Sequence, residues 1–162
     1  MITAAKLAGF FAAHAIWSVS DSEMLTPMFA FTTAAGERRM DRLAGNDLEK
    51  IVVLGKARLA ANEDDADDAA FLFDGRIPIG ERKYDAIIVE MRAYFSPRSA
   101  ATLGIPYTPK SAGGFRVHKP KILQWQNCED FSLQNVVSAF FEGVDAHEQG
   151  AKVWNAALDQ SI

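Results

Sequence analysis

One cysteine, Cys128, stands in 162 residues. An internal disulfide is therefore excluded, as is a cysteine-rich zinc site, and such usage suits a reducing compartment. His14, His118 and His147 are the only histidines, and no two of them lie at a metal-ligand spacing. The chain has no Gly-x-x-x-x-Gly-Lys-Ser/Thr phosphate loop, no Gly-x-Ser-x-Gly elbow and no His-Glu-x-x-His pair. It also has no run of the roughly 20 consecutive apolar residues that would span a bilayer. The acidic stretch from Glu63 to Asp68 lacks the alternating ligands and central glycine of a calcium loop, and its self-repulsion predicts a solvated linker. Cys128 precedes Glu129 and Asp130, whose charge disfavours a thiolate and argues against a thiol enzyme. Nothing in the pattern calls for a cofactor or a metal.

What is present describes an ordinary globular chain. Hydrophobic residues make up 49% and charged residues 23%, and the length predicts one α+β domain over residues 1–162. The net charge of −4 is unevenly spread. Residues 76–127 carry 9 basic and 3 acidic side chains, whereas both flanking segments are acidic. The basic middle is where an anionic ligand would be sought, while the acidic total argues against a nucleic-acid partner. Leu7–Trp17 is apolar, follows Lys6 and contains Ala13-His14-Ala15, a loose imitation of a signal-peptidase site. A single lysine and an internal histidine fit that role poorly. The expectation is a buried amphipathic helix in a cytoplasmic protein with no membrane partner.

Organisation is set by two similar hairpins. Phe29-Ala30-Phe31 leads to Gly36-Glu37-Arg38, and Phe71-Leu72-Phe73 leads to Gly80-Glu81-Arg82. Each follows a helix-like segment, which points to a tandem helix–hairpin repeat over residues 4–43 and 46–95. Apolar spacing predicts helices over 4–19, from Asn46 onward, over 131–142 with a stop at Gly143, and over 145–160. Asn46 with Glu49 resembles a capping box. Strands are predicted over 28–33, 38–43, 69–79, 84–95 and 115–125. Gly75 is expected to be a bulge, and the Pro- and Gly-rich segment 96–114 a long loop. The order α-ββ-α-ββ-β-α-α implies an antiparallel sheet of about five strands with helices on one face.

Strand alternation supplies the one candidate site. Ile88, Glu90, Arg92 and Tyr94 would face away from the helices, and Arg116 and His118 would join them if 115–125 pairs with 85–95. Tyr107 and Lys110, in the intervening loop, could overhang that face. Glu90 and His118 are the acid–base candidates, and Arg92, Arg116, Lys110, Tyr94 and Tyr107 the groups for an anion. Two functions follow as expectations. One is a non-catalytic protein that binds another macromolecule, as an adaptor, chaperone-like or inhibitor protein, with self-association through a sheet edge as one form. The other is a binder of small anionic ligands, or an acid–base enzyme, working on the polar sheet face.

Overall fold

The computed structural model describes residues 1–95 and 98–162. Ser96 and Pro97, the start of the expected loop, lie outside the described residues. The chain is α+β, with helices α1 (Ile2–Ser20), α2 (Leu48–Ala61), α3 (Leu133–Ala146) and α4 (Glu148–Ala157). Its strands are β1 (Met28–Thr32), β2 (Arg38–Arg42), β3 (Asp68–Ile79), β4 (Arg82–Ala93), β5 (Ser99–Thr108), β6 (Arg116–Val117) and β7 (Lys121–Gln126). They form one antiparallel sheet in the order β2-β1-β3-β4-β5-β6, with β7 also pairing β5.

The two hairpins lie side by side, joined where β1 pairs antiparallel with β3 and Phe29 opposes Phe71. Gly80 takes the left-handed φ of +60° that its two-residue turn requires. Gly75 is not a bulge. It sits in unbroken register opposite Ala86, where a side chain would press on Ile88.

The largest departure from expectation is β5. Gly104 and Pro106 break the strand pattern, yet residues 99–108 form the neighbour of the central strand β4. Tertiary contacts explain both residues. Gly104 leaves room for Ile77 and Leu123, and Pro106 uses its carbonyl to accept the His118 N–H at 2.9 Å. The predicted strand 115–125 accordingly splits into β6 and β7 around Pro120 and pairs with β5, not with β4.

The helices occupy both faces of the sheet, not one. Met28, Ala30, Leu72, Val89 and Ile105 point to a core shared with α1, α3 and α4. Phe29, Phe31, Phe71, Phe73 and Ile88 point the other way, under Leu59 of α2. The helices that precede the two hairpins thus pack on opposite faces. Asp47 caps α2, accepting the Lys50 N–H at 3.1 Å, so the cap lies one residue beyond Asn46. The acidic stretch is likewise only partly solvated. Asp68 opens β3 and is 3% exposed, while Arg58 donates to both Asp64 oxygens at 2.6 and 2.8 Å and lies over the Phe29 ring.

α1 is long and apolar enough by length and composition to cross a membrane, and it is mostly buried inside this fold. Alanines along its length and Gly9 allow close approach from several sides. A side chain at Gly9 would land on the Phe140 carbonyl of α3. One at Gly143 would strike the Lys6 carbonyl, and one at Gly150 the Ala13 carbonyl. Gly143 therefore does not end its helix but lies within α3, as a backbone contact surface. Gly9→Ala should destabilise the protein by about 3 kcal/mol, because the backbones of α1 and α3 must separate. Gly36→Ala, whose Cβ would meet nothing within 4 Å, should cost only about 1 kcal/mol from its φ of +82°. Urea denaturation of the two variants distinguishes these outcomes.

Candidate functional site

The residues expected on or over one polar face are divided among four places. Glu90, Arg92 and Tyr94 do share a face of β4 and its extension, but α2 covers it. Glu90 is 8% exposed, and Lys56 of α2 donates to its carboxylate at 2.8 Å, with Arg92 at 3.9 Å. Tyr94 donates its hydroxyl to the Leu59 carbonyl at 2.5 Å, and burial pushes its pKa up to about 12. Glu90, expected to meet solvent, instead fastens α2 through Lys56, and Arg92 turns back to the Met91 carbonyl at 3.0 Å.

Arg116 and His118 lie at the far side of β5, against the C-terminal segment. The His118 ring is 4% exposed, bonded through Nε2 to the Thr108 hydroxyl at 3.0 Å and through Nδ1 to the Asp159 carbonyl at 3.1 Å. Arg116 approaches the Asp159 carboxylate at 3.8 Å. Tyr107 points to the opposite face, where its hydroxyl donates to both Asp74 oxygens at 3.0 and 3.1 Å. Burial raises the pKa of both partners of that pair. Lys110 is exposed in a short 3-10 turn over Lys110–Ala112. Cys128 is buried, its thiol donating to the Gln126 and Ala100 carbonyls, and burial pushes its pKa up. Among the described residues no group of three or more His, Cys, Asp or Glu side chains could hold a metal.

An apolar concavity lies elsewhere among the described residues. A cavity of about 550 Å³ opens between the outer strands and the last two helices. Its sheet wall is Met91 of β4, Leu103 of β5, and Ile122 and Trp125 of β7. Its helix wall is the α3 stripe of Val136, Phe140 and Val144, closed by Trp154 of α4. Trp154 stands edge-on to Phe140 and Phe141, at centroid distances of 6.3 and 6.0 Å. Lys119, Asp145, Asn155 and Gln160 are the exposed polar members of the lining.

The cavity follows from the glycine contacts of α1. These contacts draw α3 and α4 onto α1 and away from β5 and β7, whose inner face is left without a closely packed helix. The apolar spacing of α3 was legible as a buried stripe, but Leu133 and Val137 stay exposed on the cavity rim, as do Ile122 and Leu158, at 41–46%. The available signal was an excess: α3 carries more apolar residues than one packed face needs.

No family model, curated protein or solved structure matches the chain. The geometry is therefore the whole basis for assigning a role.

The Lys56–Glu90 contact makes a direct prediction. Lys56→Met strands a buried carboxylate and should cost about 1–3 kcal/mol. Adding Glu90→Gln should recover part of that loss, giving strongly non-additive denaturant midpoints.

Proposed function

We propose that this chain is a binding protein for a small, mostly apolar molecule with one polar end. The observation that carries this reading is the cavity of about 550 Å³, walled by aliphatic and aromatic side chains. Its volume lies within the roughly 300–1,000 Å³ of small-molecule sites, and its many apolar and few polar groups match their usual composition. The apolar part of the ligand would lie between Leu103, Trp125, Phe140 and Trp154. Its polar end would reach Lys119, Asn155 and Gln160 near solvent. This is the small-ligand expectation moved from the polar sheet face to the apolar one, with Lys119 as the cation available to an anionic end group.

The exposed rim favours a second reading. Ile122, Leu133, Val137 and Leu158 form an apolar border of the kind that accepts a partner's apolar segment. That would be the macromolecule-binding role, carried by the same groove.

Trp125 and Trp154 report on occupancy directly. Their fluorescence should change saturably on titration with straight-chain carboxylates. Affinity should rise about fourfold per added methylene until the cavity is full, as expected for about 0.8 kcal/mol per buried CH₂. Val137→Trp fills the rim from an exposed position and should abolish this response while leaving thermal stability nearly unchanged. A response that ignores chain length, or one that survives Val137→Trp, would remove the small-ligand reading.

A further inference from the structure

His14 and His147, 133 positions apart in sequence, meet where α4 begins. His147 is the N-cap of α4, and its Nδ1 accepts the Gly150 N–H at 2.9 Å. With that lone pair in use, the neutral ring carries its proton on Nε2 and donates it to His14 Nδ1 at 3.0 Å. Arg42, which can only donate, lies 3.2 Å from His14 Nε2, and accepting its N–H would move the His14 proton to Nδ1, against the His147 Nε2–H. With the His147 bond made, His14 carries its proton on Nε2, and Arg42 faces it as a positive charge and not as a hydrogen-bond partner. Each ring has one lone pair and one proton, and both lone pairs are committed.

The pair has no place for another proton. A proton added to His147 goes to Nδ1, where it opposes the Gly150 N–H. A proton added to His14 goes to Nδ1, where it opposes the His147 Nε2–H. Moving the His147 proton from Nε2 to Nδ1 would relieve that second conflict, but only by creating the first. Every protonated arrangement therefore breaks a bond that holds the start of α4.

The surroundings oppose protonation as well. Phe10 and Trp17 of α1 pack on the His147 ring at 4.9 and 5.9 Å. From β2, Arg42 reaches His14, and Arg38 lies over the Phe10 ring and adds positive charge near His147. Asp21 and Glu23, in the segment after α1, share the recess with His14 and are the acidic groups there. Burial, before any charge effect, holds both imidazoles below their ordinary pKa.

We propose that the His14–His147 contact is a proton-operated latch. In its neutral form it clamps the start of α4 onto α1, and protonation frees that start together with the Trp154 wall of the cavity. The latch is a property of the unliganded fold. Only its consequence, release of a bound molecule in acid, rests on the cavity reading above.

The direction follows from linkage. The unfolded or released histidines titrate near pH 6.5, above the clamped pair. The clamp contributes fully above that pH and weakens as pH falls from about 6.5 toward the clamped values.

Amide hydrogen exchange of the unliganded chain at about pH 7.5 and about pH 5 tests the latch. After correction for intrinsic exchange, protection across 148–157 should fall about tenfold in acid, while α2 is unaffected. His147→Asn keeps a side-chain acceptor for the Gly150 N–H but does not titrate, and should lose the response, as should His14→Gln. Unchanged α4 protection in the wild type, or an equal fall in both variants, would overturn the proposal. So would an NMR titration of the wild type in which either imidazole titrates at its ordinary pKa, a readout independent of whether the variants fold. A separate titration with a long-chain carboxylate tests release. If α4 loosens in acid but no carboxylate binds at neutral pH, the latch stands and the cavity reading fails.

Discussion

The close approach of α1 to α3 and α4 is the constraint on which the rest of the structure depends. Three glycines, Gly9, Gly143 and Gly150, lie where any side chain would run into the backbone of the facing helix. Backbones this near gain dispersion contacts along their length, but they also fix where both C-terminal helices sit. Held to α1, these helices cannot also cover β5 and β7. The cavity is the space left by that choice, and the His14–His147 contact is another product of it.

The opposite face shows how polar residues are used when a helix must be fastened over a sheet. α2 buries little beyond Gly55 and Leu59 against the Phe29, Phe71 and Phe73 layer. Polar and charged contacts add to that grip: Arg58 to Asp64 and Asp41, Lys56 to Glu90, and Tyr94 to the end of the helix. A buried or half-buried ion pair holds orientation more than it adds stability. Glu90, Arg92 and Tyr94 are thus committed to architecture, and so are His118 and Arg116, which tie the C-terminal segment to the outer strands.

Cavity and latch are linked through α4. The helix has only ten residues, too few to be stable alone in water, so it depends on its cap and its packing. Its first turn is held by two imidazoles and its middle carries Trp154, which closes the cavity wall. Loosening the first end must affect the second, because a helix this short cannot fray by a turn and keep most of its contacts.

Much of the fold was legible from local chemistry. Period-two alternation located β1 to β4, the Gly80 turn placed the second hairpin, and the apolar spacing of α1 and α3 marked them as core helices. Less of the candidate site was legible. His14 was recognisable as a polar residue on an apolar face, but its partner, 133 positions away, was not. β5 was hidden because Gly104 and Pro106 weaken a strand locally, and only the facing Ile77, Leu123 and His118 make them suitable. Which face α2 covers was likewise not legible, since alternation separates two sides of a strand without saying what will lie on either.

The sequence by itself determined the four helices, the first two hairpins and the antiparallel α+β class, because these depend on backbone preferences and apolar period within a few residues. The tertiary structure alone decided that the polar face would be covered, that an apolar cavity would open beside α3, and that His14 and His147 would come within hydrogen-bonding distance. Each of these depends on contacts between distant segments, and local preference carries no information about which distant surfaces will meet.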